Sequence, residues 1–136
     1  MFLLPGYAIV TYITGTPVAE PVRAEIVRYL TNMQDKEGGW GIHIESRATV
    51  FGTALNYVVL RLLGVERDDP RCVSARTWLS ARGGCLGIPS WGKFWLAVLN
   101  VYQVRWRDAN ALRACSGLVF SRLLSKHGID SVGVDM

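Results

Sequence analysis

Successive stretches of the chain carry apolar residues at helical spacing, and each ends on a stop signal. Over 21–34, Val22, Ile26, Leu30 and Met33 recur at steps of four, four and three, while Arg23, Arg28 and Asn32 take the other sides. That is the period of an amphipathic helix. Pro21 suits its first turn, where a missing N–H costs nothing, and Asp35-Lys36-Glu37-Gly38-Gly39 stops it with flexible turn residues. Over 49–63 the apolar positions are Phe51, Ala54, Leu55, Val58, Leu62 and Leu63, and Val50, Tyr57, Val59 and Leu60 widen the stripe almost all round. A helix so apolar is expected inside a larger structure. Gly64 ends it, and Asp69-Pro70 opens the next as N-cap and first helical residue. That helix is expected to run to about Arg82 and stop at Gly83-Gly84. Another starts near Pro89 and carries Phe94, Trp95, Val98, Leu99 and Tyr102 on one broad face.

No strand run competes, so the expected fold class is all-α. Tyr29-Leu30 before Gly38-Gly39-Trp40-Gly41-Ile42 is echoed by Trp78-Leu79 before Gly83-Gly84-Cys85-Leu86-Gly87-Ile88. The period, about 45 residues, is that of two helices and their turns, which points to an array of helical hairpins. Beyond Tyr102 the composition changes: Arg105, Arg107 and Arg113 enter, a marginal helix follows through Leu112, Cys115, Val119 and Leu123, and the end is polar from Lys126 to Met136. At the other end, the apolar run from Met1 is broken by Pro5, Gly6 and Thr11 and ends near Ile13. It is too short to span a bilayer and lacks the basic region and cleavage site of a secretory signal.

Composition sharpens this picture. With 136 residues, 50% apolar and 19% charged, the chain is long enough for one domain and too apolar for disorder. Such a chain buries about two-thirds of its unfolded surface. Its mean hydropathy of +0.21 fits a membrane-associated protein, or a fragment whose sticky faces belong against partners. The net charge is +4, but the basic residues, among them Arg23, Arg28, Arg61, Arg67, Arg71, Arg76 and Arg82, are scattered. No basic stripe or reading element marks a nucleic-acid binder. Cys72, Cys85 and Cys115 are odd in number and lack metal-ligand spacing, which favours reduced thiols.

Isolated candidates for chemistry are weak. His43 and Glu45 stand two apart with no third ligand nearby, too little for a metal or an acid–base pair. Asp68-Asp69 resembles a paired carboxylate, but the following Pro70 makes helix capping the better account. His127 carries no assignment.

Longer motifs say more. Gln34-Asp35-Lys36-Glu37-Gly38-Gly39-Trp40, preceded by Arg28-Tyr29-Leu30, looks like the glutamine–tryptophan repeat of triterpene cyclases. Thr49-Val50-Phe51-Gly52-Thr53-Ala54-Leu55-Asn56-Tyr57 and the block from Ile88-Pro89-Ser90-Trp91-Gly92-Lys93-Phe94-Trp95 to Tyr102 resemble the oxidosqualene cyclase (terpene cyclase/mutase) family closely. Phe2-Leu3-Leu4-Pro5-Gly6 also fits. The resemblance covers residues 1 to about 103, in the N-terminal half of such enzymes, and leaves 104–136 as a divergent tail. The abrupt change after Tyr102 suggests an altered reading frame, a retained intron or a truncated gene, and the start inside family sequence suggests truncation there too.

The resemblance implies part of an α/α barrel (toroid) in an enzyme several times longer. Such an enzyme cyclises 2,3-oxidosqualene to a sterol or triterpene skeleton, sits on one face of endoplasmic-reticulum or lipid-droplet membranes, and uses no metal or organic cofactor. Its epoxide is protonated by the aspartic acid of an Asp-Cys-Thr-Ala motif. None of Asp35, Asp108, Asp130 and Asp135 lies in one, so the isolated chain is expected to be inactive. Trp91 matches a family tryptophan that faces the substrate cavity, where π faces stabilise carbocations. Trp95 is expected to pack between helices and Trp78 to be core. Gln34, Gly38 and Trp40 have a structural role in the family. The glutamine amide is expected to satisfy free N–H groups at the start of a following helix, with the indole stacked over it. Two rivals stand beside this reading. One is a non-catalytic helical module that binds a lipid or partner through the apolar helices 49–63 and 93–102. The other is a hairpin relative such as a prenyltransferase β-subunit, whose zinc-ligand pattern is absent.

Overall fold

The computed structural model describes residues 3–99, and every regular element among them is helical. The helices are α1 (Leu3–Thr14), α2 (Glu20–Met33), α3 (Val50–Leu62), α4 (Pro70–Ser80) and α5 (Ser90–Val98), with a 3-10 turn at Gly84–Gly87 between the last two. The all-α expectation holds. Tyr102, the helix expected through Leu123 and the tail 104–136 lie outside the described residues. The described residues fall into two units, the first ending at Gly87 and the second beginning at Ile88.

In the first unit, α3 is the hub, touched by α1, α2, α4 and the 3-10 turn. That explains its all-round apolar sequence: every residue from Phe51 to Leu60 is buried. Thr49 caps its start, its hydroxyl accepting the Gly52 N–H at 3.0 Å and so satisfying one of the donors that a helix start leaves free. The polar residues inside this helix are only partly satisfied, since Asn56 Oδ1 is buried without a hydrogen-bond partner. Asn56 Nδ2 donates to the Gly52 carbonyl at 2.9 Å, and Thr53 serves the loop described below.

α1 is a helix that the sequence pattern did not reveal, because Pro5 and Gly6 read as breakers. Pro5 falls in the first turn, where proline is tolerated, and it is buried with Ala8 and Ile9 on the face towards α3. The hydroxyls of Thr11 and Thr14 bond back to the carbonyls of Tyr7 and Val10, so these threonines bring no unpaired group into the helix. α2 buries only the middle of its expected stripe: Ile26 and Leu30 are buried, whereas Val22 and Met33 are 46% and 37% exposed. α4 starts where Asp69-Pro70 announced it, and its buried face is Cys72, Ala75, Trp78 and Leu79. It ends at Ser80, short of the expected Arg82.

In the second unit, α5 follows Pro89. Leu96, Ala97, Val98 and Leu99 are the buried residues at its end, while Phe94 and Trp95 are half-buried and meet edge to face at 5.6 Å. Among the described residues no helix is long and apolar enough to cross a membrane.

Candidate functional site

The glutamine–tryptophan segment is a knot of hydrogen bonds around the turn that leaves α2. The Gly38 N–H donates to the Asp35 carbonyl and the Asp35 N–H to the Gly39 carbonyl, both at 2.8 Å. This turn is pressed so tightly onto its neighbours that only glycine fits. A Cβ at Gly38, which has φ +98°, would meet the Ser74 backbone at 2.7 Å, and one at Gly39 would meet Ala48 Cβ at 2.6 Å. Gly38 also adopts a backbone region that L side chains avoid.

Trp40 is fully buried. Its indole N–H donates to the Leu30 carbonyl at 2.9 Å. Leu30 lies in the last turn of α2, whose carbonyls have no partners within the helix. The natural donor, the Gln34 N–H, has instead turned to the Thr31 carbonyl. Trp40 is therefore a side-chain cap for the end of α2. Its backbone is held as firmly. The N–H donates to Thr53 Oγ1 at 2.9 Å, and the carbonyl accepts the Thr49 N–H at 3.0 Å.

Gln34 departs from the expected geometry. Its amide nitrogen donates to two carbonyls, those of Gly38 and Arg71, both at 2.9 Å. It does not cap N–H groups at the start of α4 because Asp69 already does so: Asp69 Oδ1 accepts the Arg71 N–H at 3.0 Å. The same carboxylate takes the Arg71 guanidinium through Nε at 2.7 Å and Nη2 at 2.6 Å, and Arg71 Nη1 reaches Thr31 Oγ1 at 2.8 Å. The hydrogen-bonded Arg71 guanidinium holds the Asp69 carboxyl below its ordinary value. The Arg71 value rises for the reciprocal reason. Helix capping, expected for Asp69, is what the structure shows.

Trp78 is core, as expected, with Arg82 stacked 3.9 Å over its ring. Arg82 Nη2 also pairs with Glu37 at 3.1 Å, which folds the turn down onto α4. His43 and Glu45 sit in an exposed turn where the Glu45 N–H donates to His43 Nδ1 at 3.3 Å. Among the described residues no group of three or more His, Cys, Asp or Glu gathers in metal-binding fashion. Cys72 and Cys85 are both buried. Burial pushes Cys85 up to about 11 and raises Cys72, helped by the Asp69 charge.

Trp91 stands apart from this knot in the sequence. It occupies the first turn of α5 and is 46% exposed, with Phe94 and Trp95 following at one helical turn. Thr53 and Arg71 escaped the sequence reading. The signal for Thr53 was a polar residue at the centre of an otherwise apolar helix; for Arg71 it was an arginine two residues past a capping aspartate.

The profile of the squalene-hopene cyclase N-terminal domain matches residues 5–113, and the chain belongs to that family. Its similarity to individual members bears out the resemblance to the oxidosqualene cyclases. Human lanosterol synthase is 57% identical over 112 residues, 82% of this chain and 15% of that protein. Cycloartenol synthase of Dictyostelium discoideum is 55% identical over 113 residues, 82% of this chain and 16% of that protein. Alpha-onocerin synthase of Lycopodium clavatum is 42% identical over 135 residues, 94% of this chain and 17% of that protein. The chain thus spans about a sixth of the length of these relatives.

Proposed function

We propose that this chain is a segment of an enzyme that cyclises 2,3-oxidosqualene to a sterol or triterpene skeleton. The observation that carries the reading is 57% identity to human lanosterol synthase over 82% of the chain. Within the segment, Gln34, Gly38 and Trp40 are scaffold: Gln34 ties the end of α2 to Arg71 at the start of α4, and Trp40 caps α2 at Leu30. Trp91 is the cavity residue. In that role its indole stabilises a developing carbocation through the π face, an interaction that strengthens when water is excluded. The motifs that carry the resemblance stop near residue 103, while the profile match runs to residue 113 and the similarity to alpha-onocerin synthase takes in 94% of the chain. The parent enzyme works without metal or organic cofactor on one face of the endoplasmic-reticulum or lipid-droplet membrane.

The chain lacks the Asp-Cys-Thr-Ala acid, and without a general acid the epoxide stays closed. Incubation of the purified chain with 2,3-oxidosqualene, followed by product analysis, is expected to yield no cyclised product above a boiled control. Turnover above that control would refute the missing-acid argument. A second reading, a non-catalytic module that binds a lipid or partner, draws support from α1. That helix has no charged residue and exposes Leu3, Tyr7 and Val10 on one side. A monodisperse, cooperatively melting chain that retains lipid would favour the second reading, and aggregation the first.

A further inference from the structure

We draw no further inference here: the strongest candidate, the uncharged outer face of α1 that exposes Leu3, Tyr7 and Val10, is an unpartnered apolar face, and nothing in the structure shows what covers it.

Discussion

Replacing Trp40 with phenylalanine isolates the indole N–H from the bulk of the aromatic ring. Trp40 is 0% exposed, and its N–H is the donor that Leu30 O receives at 2.9 Å at the end of α2. The variant leaves that carbonyl buried without this donor, a loss of about 1–3 kcal/mol. The smaller ring also gives up packing worth about one to two methylenes, or roughly 1–1.5 kcal/mol. Together the expected destabilisation is about 3 kcal/mol, a large share of the roughly 5–15 kcal/mol that holds a domain folded. Urea unfolding followed by far-ultraviolet circular dichroism measures it directly. With a slope of roughly 1.5 kcal/mol per molar urea, the midpoint should fall by about 2 M at unchanged slope. A midpoint shift worth less than about 1 kcal/mol, the scale of an average hydrogen bond, would refute the view that Trp40 caps α2.

Other perturbations test separate parts of the knot. Asp69→Ala should cost about 1 kcal/mol at neutral pH, the ordinary worth of an N-cap. Because Arg71 lowers the folded Asp69 value, the carboxylate stabilises the fold above the unfolded value near 4. That contribution fades as pH falls through the lower folded value. Stability measured from pH 3 to 7 should therefore decline less on the acid side in the variant, and parallel profiles would contradict the pairing. Gly38→Ala should lose more than about 2 kcal/mol, since a positive φ coincides with a 2.7 Å approach to the Ser74 backbone; a melting temperature within a degree of the parent would show that the turn is not pressed onto α4. With Cys85 pushed up to about 11, on the order of one thiol in a thousand is thiolate at pH 8. Iodoacetamide labelling with peptide mapping should find Cys85 and the buried Cys72 at least tenfold slower in the native chain than in urea, and equal rates would refute their burial.

The parts of this fold that were legible in the sequence are those whose signal is periodic or local. α3 declared itself through an apolar run that only a central helix requires, and α4 through Asp69-Pro70. α1 did not, because a proline and a glycine in a first turn look like breakers until Ala8 and Ile9 are seen against α3. The ends of the α2 stripe misled for the opposite reason: Val22 and Met33 keep the helical period but lie beyond the reach of the core. The knot around Trp40 shows the other limit. Gln34 and Trp40 were marked as a motif, yet the direction of the glutamine's hydrogen bonds depends on Asp69 occupying the N–H of Arg71. The bond from Gln34 crosses 37 residues of sequence, and nothing periodic records it. The cavity role proposed for Trp91 rests on its surrounding motif alone, since position in a helix does not distinguish a cavity wall from an ordinary half-buried indole.

The central claim is that this segment does in place what the matching part of a cyclase does. The most direct measurement is product formation from 2,3-oxidosqualene by human lanosterol synthase carrying residues 5–113 of this chain in place of its own matching segment. The account predicts a folded graft that makes cyclised product within about tenfold of the parent. It also predicts that Trp91→Ala in that graft loses about thirtyfold in rate, the equivalent of a desolvated cation–π contact of roughly 2 kcal/mol. A graft that folds and yields no cyclised product would contradict the account.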